Sequence, residues 1–253
     1  PLKDFYEEHY AKLDKMTPHL LKRIKLTEEA IRKYGRPGEI LEIGCGTGEN
    51  LRYYANKFGF SRAYCVEIAS SAEEKIREKG LIPLILDVNV DKIPLSDKSI
   101  DVIIFEEVIE HLYNSDLVMN EIKRLLKEGG ILVLSTPNLA SWINRLSLLF
   151  GYQPFSHDVS FLGGFGRFKY KNQSNGHIKS FTLRAMLEYL KFFELEVLEV
   201  KGIEADGAPP LISRIDSIVS KIPSLASHMF VVARKLLACH PDCVNDPYAF
   251  SLH

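Results

Sequence analysis

The stretch Ile40-Leu41-Glu42-Ile43-Gly44-Cys45-Gly46-Thr47-Gly48-Glu49-Asn50 decides the fold of this chain. Its apolar start, residues 40–43, predicts a short strand, and a helix is expected over 49–57. The glycines between them let the backbone turn tightly and let a ligand approach main-chain atoms that a Cβ would block. In an open α/β sheet this turn lies at the carboxyl end of a strand, where ligands bind. Alone it is a weak signal, because a plain tight turn has the same composition.

Strands and helices alternate after this stretch. The apolar pattern predicts further strands and helices in short units, with strands at 63–66, 81–86, 100–105 and 131–134 and helices at 72–79 and 115–127. Such units pack through right-handed crossovers into a mostly parallel sheet flanked by helices. Two late strands, 195–200 and 229–233, are expected to form an antiparallel edge of that sheet. The predicted fold class is therefore α/β.

Acidic residues stand at the ends of three predicted strands. Glu67 follows the last glycine of the loop by 19 residues, close to the ~20 expected for an acid that binds a ribose. A carboxylate can accept hydrogen bonds from both ribose hydroxyls. Asp87 after the third strand is placed to accept from an amino group such as that of adenine, and Glu106 ends the fourth strand. One such acid is best explained as a solvated loop residue, but three at one sheet edge predict a nucleoside site.

The form of the glycine loop indicates which nucleoside binds. The loop reads G-x-G-x-G, and Glu49 stands where the dinucleotide fingerprint G-x-G-x-x-G has its third glycine. A carboxylate at the helix N-terminus competes with a pyrophosphate for the same positive pole. A phosphate-free adenosine ligand with a positive centre fits better, and S-adenosylmethionine is such a ligand.

Five segments together resemble the motifs of class I S-adenosylmethionine-dependent methyltransferases. They are ILEIGCGTGENL at 40–51, CVEIA at 65–69, LILDV at 84–88, DVIIFEEVIEHL at 101–112 and LLKEGGILVLSTPN at 125–138. The resemblance implies the Rossmann-like fold of that family, S-adenosylmethionine as methyl donor and S-adenosylhomocysteine as product. It also implies a donor site made of Glu42 beneath the loop, Gly44, Cys45, Gly46 and Gly48 at the methionine end, Glu67 and Ile68 at the ribose, Asp87 and Val88 at the adenine, and Phe105 and Glu106 beside the methionine. The family often has Asp where Glu42 stands.

The length of 253 residues suits a single methyltransferase domain. Its expected parts are N-terminal helices (1–38, with a helical segment at 4–34 divided near Pro18), a donor-binding core (39–138), an acceptor cap (139–180), the C-terminal part of the sheet (181–235) and a tail (236–253). Thr182 is expected to cap a late helix, and another helix is expected near 210–222.

The overall charge argues for a small-molecule acceptor. Lys and Arg total 32 against 33 Asp and Glu, so the basic excess usual in nucleic-acid-binding proteins is absent. No stretch has the length of a membrane span, and the N-terminus has no apolar signal region. A cytoplasmic enzyme without a membrane span is therefore predicted, and a nucleic-acid partner is disfavoured. The sequence does not indicate its oligomeric state.

The number and spacing of the four cysteines do not predict a dense disulfide framework. Cys45 and Cys65 are expected to be small apolar thiols, consistent with a reducing cytoplasm. Cys239 and Cys243 resemble half of a zinc site, but no second ligand pair accompanies them, so a tail without metal is the favoured interpretation. The sequence therefore predicts no metal.

The acceptor is expected to meet residues 141–180. Apolar residues at 142, 143, 146, 149 and 150 share one helix face, for which core packing is favoured over a binding role. The glycines at 163–166 favour a mobile lid. Arg167, Lys169 and Lys171 alternate with aromatic residues; an anion or RNA site is possible, but an exposed charged edge is favoured.

Histidines are the candidate general bases, since their pKa is normally near neutral. His111 follows the fourth strand, near the predicted donor, and a purely structural role is equally compatible with its position. His177, ahead of the late helix, is the second candidate, and His157 is the third.

The leading hypothesis is methyl transfer from S-adenosylmethionine to an oxygen or nitrogen atom of a small molecule. EVIEHL and STPN resemble the branch of the family that acts on quinone precursors, sugars and similar metabolites. The alternatives are an RNA or protein methyltransferase and a non-catalytic S-adenosylmethionine-binding protein. A nicotinamide-dependent reductase is disfavoured by Glu49.

Overall fold

A seven-stranded sheet organises the computed structural model, which describes residues 17–168, 174–205 and 209–236. In chain order the strands are β1 (Glu39–Ile43), β2 (Arg62–Glu67), β3 (Ile82–Ile85), β4 (Ile100–Glu106), β5 (Leu126–Pro137), β6 (Leu195–Ile203) and β7 (His228–Lys235). Their order across the sheet is β3-β2-β1-β4-β5-β7-β6. Strands β1 to β5 pair in parallel, whereas β7 lies antiparallel between β5 and β6. The mostly parallel α/β sheet with a late antiparallel edge is confirmed.

Helices connect these strands. They are α1 (Pro18–Tyr34), α2 (Glu49–Phe58), α3 (Glu73–Glu78), α4 (Ser115–Leu125), α5 (Trp142–Leu149), α6 (Leu183–Phe192) and α7 (Pro210–Val219), with 3-10 turns at Ser70–Ala72 and Ile109–His111. The Thr17 side chain accepts from the Leu20 nitrogen and caps α1, which begins at Pro18 as predicted. Residues 4–16 of the expected N-terminal helix lie outside the described residues.

The sheet has an apolar core on each face. Every residue of β4 is buried, and successive residues of β5 alternate between the two cores: Leu132 and Leu134 pack on one face, Ile131 and Val133 on the other. This arrangement explains the continuous apolar runs in the sequence. It also fixes the carboxyl ends of β1 to β4 at one rigid edge.

Strand β5 differs most from its prediction. It begins at Leu126, directly after α4, so Gly129 and Gly130 lie within it rather than between the predicted helix at 115–127 and the predicted strand at 131–134. Gly129 has φ +75°, and a Cβ on Gly130 would lie 2.9 Å from the Lys127 carbonyl oxygen. The glycines therefore serve an irregular strand start, where the register against β4 shifts.

Candidate functional site

A pocket opens at the carboxyl ends of β1, β2 and β4, beside the turn that follows β3. Residues from four consecutive strand ends line it: Ile43, Gly44, Val66, Glu67, Ile68, Leu86, Asp87, Val88, Asn89, Glu107, Val108, His111 and Leu112. Its walls are thus apolar, with carboxylates and an amide at separate points. This is the place at which open α/β sheets bind their ligands.

The glycine loop forms one wall of the pocket without side chains. Gly44 has φ +76°, and a Cβ there would lie 2.3 Å from Val108 Cγ2. Gly48 has φ +80°, and its Cβ would lie 2.5 Å from Leu81 Cδ1. Both positions therefore require glycine for conformation and for space, which excludes the interpretation as a freely substitutable turn.

Glu67 fixes this loop at the end of β2. Its side chain is 2% exposed. One carboxylate oxygen accepts from the Gly46 nitrogen at 2.9 Å, and the other accepts from the Ile68 and Ala69 nitrogens at 2.9 and 3.0 Å. The carboxylate is thereby held in a single orientation at the pocket wall.

Asp87 and Asn89, in the turn that follows β3, also line the pocket. Asp87 Oδ1 accepts from both the backbone and the side-chain nitrogen of Asn89, each at 2.9 Å. The Asn89 side chain is buried, and its oxygen accepts from the Asn114 nitrogen at 3.2 Å. Asn89 was missed by the sequence reasoning. The D-x-N spacing, which is typical of a side-chain-stabilised turn, was the signal available.

Two more acids lie buried behind the loop. Burial raises the pKa of Glu42 to about 8, with a further increase from the neighbouring charge of Glu106. Burial likewise raises the pKa of Glu106 to about 7, although Arg23 and Thr27 oppose this shift. Glu106 accepts from Thr27 Oγ1 at 2.7 Å and lies 3.3 Å from Arg23 Nε. The Glu106 carboxyl group therefore connects the sheet to α1.

Glu107, which the sequence reasoning also missed, turns back into the pocket. It adopts the left-handed conformation, with φ +55°, that is rare for a side chain of this kind and is often found at functional sites. Its carboxylate accepts from Ser135 Oγ at 2.8 Å and lies 3.5 Å from His228 Nε2. Burial opposes its ionisation, but His228 and Arg23 lower the pKa of Glu107 to about 2.

The two leading histidine candidates are in contact with each other, and His111 lines the pocket. His111 and His177 pack edge to face with ring centroids 4.9 Å apart. His111 Nδ1 lies 3.1 Å from the Gly176 carbonyl oxygen. Burial and the nearby His111 lower the pKa of His177 to about 3. His157, the third candidate, lies 3.1 Å from Ser180 Oγ instead.

The structure divides the predicted donor residues into three groups. Those lining the pocket are Gly44, Glu67, Ile68, Asp87 and Val88. Cys45, Gly46 and Gly48 belong to the loop that supports it. Glu42, Phe105 and Glu106 lie behind the wall, Phe105 fully buried in the apolar core.

The expectation of two separate thiols at Cys45 and Cys65 is wrong. Their sulfurs form a disulfide between the glycine loop and β2, across a Cα–Cα distance of 5.6 Å. Adjacent parallel strands bring the two positions together, which a sequence separation of 20 residues does not indicate. The bond removes the reason for which these cysteines favoured a reducing compartment. Cys239 and Cys243 lie outside the described residues.

The cap segment also departs from two expectations. The apolar side of α5 is not core: Leu149 is 75% exposed and Phe150 after it is 72% exposed. Arg167 is not on an exposed edge, because its guanidinium is buried and paired with Asp158 at 2.6 Å. Lys169 and Lys171 lie outside the described residues.

Comparison with known proteins identifies the family. A family model described as a methyltransferase domain matches residues 13–200, well over half of the chain. The uncharacterized protein MJ1252 of Methanocaldococcus jannaschii is 26% identical over 245 residues, covering 93% of this chain and 91% of the relative. A Mycobacterium tuberculosis protein named as a probable S-adenosylmethionine-dependent methyltransferase is 31% identical over 100 residues, which cover 40% of this chain and only 36% of the relative.

Solved structures share the fold. A protein described as the putative methyltransferase in a complex with the Haloferax volcanii Trm112 methyltransferase activator superposes with a TM-score of 0.60 at 15% identity, covering 94% of this chain and 97% of that chain. Among the residues that the structure describes, no helix is long and apolar enough to cross a membrane. The motifs, the sheet order and the family match agree: the chain belongs to the class I S-adenosylmethionine-dependent methyltransferases.

Proposed function

We propose that this protein transfers the methyl group of S-adenosylmethionine to an oxygen or nitrogen atom of a small molecule in the cytoplasm. The observation that carries the proposal is a single pocket with two chemically different ends. A glycine wall with Glu67 and Asp87 forms one end, and His111 stands at the other.

The donor end suits a nucleoside joined to an amino acid. Gly44 and Val108 line the pocket side by side, and without a side chain at Gly44 the backbone there is accessible to a ligand. Glu67 is oriented to accept from ribose hydroxyls. Asp87 and Asn89 offer polar atoms to an adenine edge. S-adenosylmethionine, when bound, supplies a methyl group on a positively charged sulfur, to which buried carboxylates are complementary.

The acceptor end suits positioning of a nucleophile. The acceptor atom must approach the methyl carbon in line while the carbon–sulfur bond breaks and its electron pair stays on sulfur. Because His111 Nδ1–H donates to the Gly176 carbonyl oxygen, Nε2 carries a lone pair that can orient an acceptor hydroxyl or amine or take its proton. His177 remains neutral at pH 7, because burial lowers its pKa to about 3.

The charge distribution favours a small acceptor over RNA. The net charge is −1, and Arg167, the described member of the basic cluster, is buried in an ion pair with Asp158. A backbone-binding surface needs exposed cations, which that side chain does not offer.

Two measurements test the proposal. Calorimetry should detect binding of S-adenosylmethionine and S-adenosylhomocysteine and none of NAD; the reverse result would refute the donor assignment. Methyl-labelled donor is then incubated with the protein and a fractionated cell extract, and label is expected in the metabolite fraction. Label in RNA or protein would show that the acceptor is that macromolecule and not a small molecule. Donor binding without label in any fraction would mean that the protein binds S-adenosylmethionine without catalysing transfer.

A further inference from the structure

A cluster of potential metal ligands lies where the donor pocket meets the cap. Glu110, His111 and His177 each place one ligand atom within 4.8 Å of the others. His111 also lines the pocket, so the cluster borders the space in which the acceptor reacts. Two histidines and one carboxylate form a set that binds divalent transition metals and leaves further positions open.

The hydrogen bonds of His111 prepare one nitrogen for a metal. Its Nδ1 lies 3.1 Å from the Gly176 carbonyl oxygen, which can only accept, so Nδ1 carries the proton and Nε2 the lone pair. A backbone carbonyl on the second ring nitrogen is the usual support of a metal-bound histidine. His111 Nε2 lies 3.8 Å from Glu110 Oε1, within the ~3 to 4 Å that separates two ligands each about 2.1 Å from one metal.

Two buried atoms of the cluster lack a partner among the described residues. They are Glu110 Oε1 and His177 Nδ1. The second oxygen of Glu110 accepts from Thr136 Oγ1 at 2.9 Å, which holds the carboxylate in place. Leaving buried polar atoms without a hydrogen bond destabilises the folded state, and a cation between them would satisfy Glu110.

A second cluster, His19, Glu107 and His228, has similar spacing, but the positively charged side chain of Arg23 already lies beside it. Arg23 Nη1 lies 4.0 Å from Glu107 Oε1, and Ser135 donates to the same oxygen. A metal ion there would be repelled by the guanidinium. In the described part of the chain no Lys or Arg forms an ion pair with Glu110, so the first cluster is the better cation site.

We propose that Glu110, His111 and His177 bind one divalent first-row transition metal ion, which holds a hydroxyl group of the methyl acceptor. The proposal rests on the proposed methyltransferase function and narrows the acceptor to hydroxyl compounds. It departs from the expectation of a metal-free enzyme, which rested only on the unpaired Cys239 and Cys243.

The metal would act on the acceptor and leave the donor unchanged. Coordination lowers the pKa of a bound hydroxyl, so its proton is released to solvent near neutral pH. The resulting alkoxide oxygen bonds to the methyl carbon, and the carbon–sulfur bond breaks with its electrons left on sulfur. His111 and His177 then act as ligands, and no side chain needs to serve as a free base.

Metal binding is measured without activity. The full chain is treated with chelator, dialysed and titrated with Mn²⁺, with free Mn²⁺ followed by electron paramagnetic resonance. One ion per chain is expected to bind to the wild-type protein, and Glu110→Gln and His177→Asn should each weaken that affinity at least tenfold. Glu110→Gln keeps an oxygen for Thr136, which limits structural damage. His228→Gln, in the second cluster, is the matched control and should bind Mn²⁺ as the wild type does.

The outcomes separate this proposal from the proposed function. No stoichiometric binding of Mn²⁺, or of Zn²⁺ in a parallel calorimetric titration, would overturn the metal site while leaving donor binding intact. Loss of Mn²⁺ binding in His228→Gln but not in His177→Asn would overturn the choice of cluster. Each variant is also titrated with S-adenosylhomocysteine, whose unchanged Kd shows that the variant is folded.

Discussion

The Glu67 carboxylate accepts from the Gly46 backbone nitrogen at 2.9 Å, so one side chain is shared between the shape of the glycine loop and the predicted ribose contact. The same carboxylate also accepts from the Ile68 and Ala69 nitrogens. A change at Glu67 therefore acts on the donor site twice, through a lost ligand contact and through a loosened loop.

Glu67→Ala should weaken binding of S-adenosylhomocysteine by about 1.5 to 3 kcal/mol, roughly ten- to hundredfold in Kd. Glu67→Gln should lose less, because its amide oxygen can still accept from one backbone nitrogen. Calorimetry measures both, with Glu78→Ala on the exposed surface of α3 as the control. An unchanged Kd in Glu67→Ala would mean that the ribose lies elsewhere.

Gly44→Ala tests whether the glycine wall is a ligand cradle. Its Cβ would meet Val108 Cγ2 at 2.3 Å in a left-handed conformation, so both the fold and donor binding should suffer. Gly59 has a similar φ of +67° and nothing within 4 Å of the added Cβ. Gly59→Ala should therefore lower the unfolding free energy only by the ~1–2 kcal/mol that a left-handed conformation costs a residue with a Cβ. The Kd of S-adenosylhomocysteine should be unchanged.

Pairing Gly44→Ala with Val108→Ala separates the two costs at Gly44. The smaller side chain removes the clash and should recover part of the lost stability in denaturant unfolding, whereas the conformational cost remains. If Gly44→Ala alone behaves like Gly59→Ala in both measurements, the close approach of Val108 is not a real constraint.

The carboxyl edge of the sheet was predictable, but the direction of single side chains was not. The glycine loop, Glu67 and Asp87 each follow an apolar strand, and parallel strands bring such ends together. Glu106 ends β4 and Glu107 follows it, yet of the two only Glu107 lines the pocket. Successive side chains point to opposite faces, and a strand buried on both faces gives no sign of which face holds the site.

The cap was predictable in position and not in packing. An apolar stripe on α5 is equally compatible with a core-facing and an exposed helix, and only its neighbours decide. Arg167 finds Asp158 across a segment without regular structure, so no periodicity could predict the pair.

Glu42 should make the protein without donor less stable as the pH rises. The pKa of Glu42 is about 8 when folded and about 4.3 when unfolded. Between these values the folded state holds the proton more tightly, so its contribution is complete at low pH and is lost as the pH rises toward 8. Glu106, with a pKa of about 7, adds to the same trend.

Denaturant unfolding at pH 5 and pH 8 measures this trend. The unfolding free energy should fall by on the order of 1 kcal/mol or more, and Glu42→Gln should reduce that fall. Glu78→Gln is the control, since an exposed carboxyl should leave the slope unchanged. Equal pH dependence in Glu42→Gln and wild type would show that Glu42 is ionised throughout.

The cap should divide into an anchored and a responsive part. The Ile178 and Lys179 nitrogens both donate to the Glu110 carbonyl oxygen at 2.9 Å, which ties the end of the segment to the pocket. Residues 160–166 have exposed apolar side chains, Leu162 at 85%, and no helix or strand. A segment that shields the methyl group from water must close over the ligand, and the responsive part is the one able to do so.

Hydrogen exchange followed by mass spectrometry should therefore slow across 160–166 when S-adenosylhomocysteine and an acceptor bind, with little change in 177–179 or β4. Uniform exchange with and without ligands would exclude closure of the cap and leave the pocket open to solvent throughout the reaction.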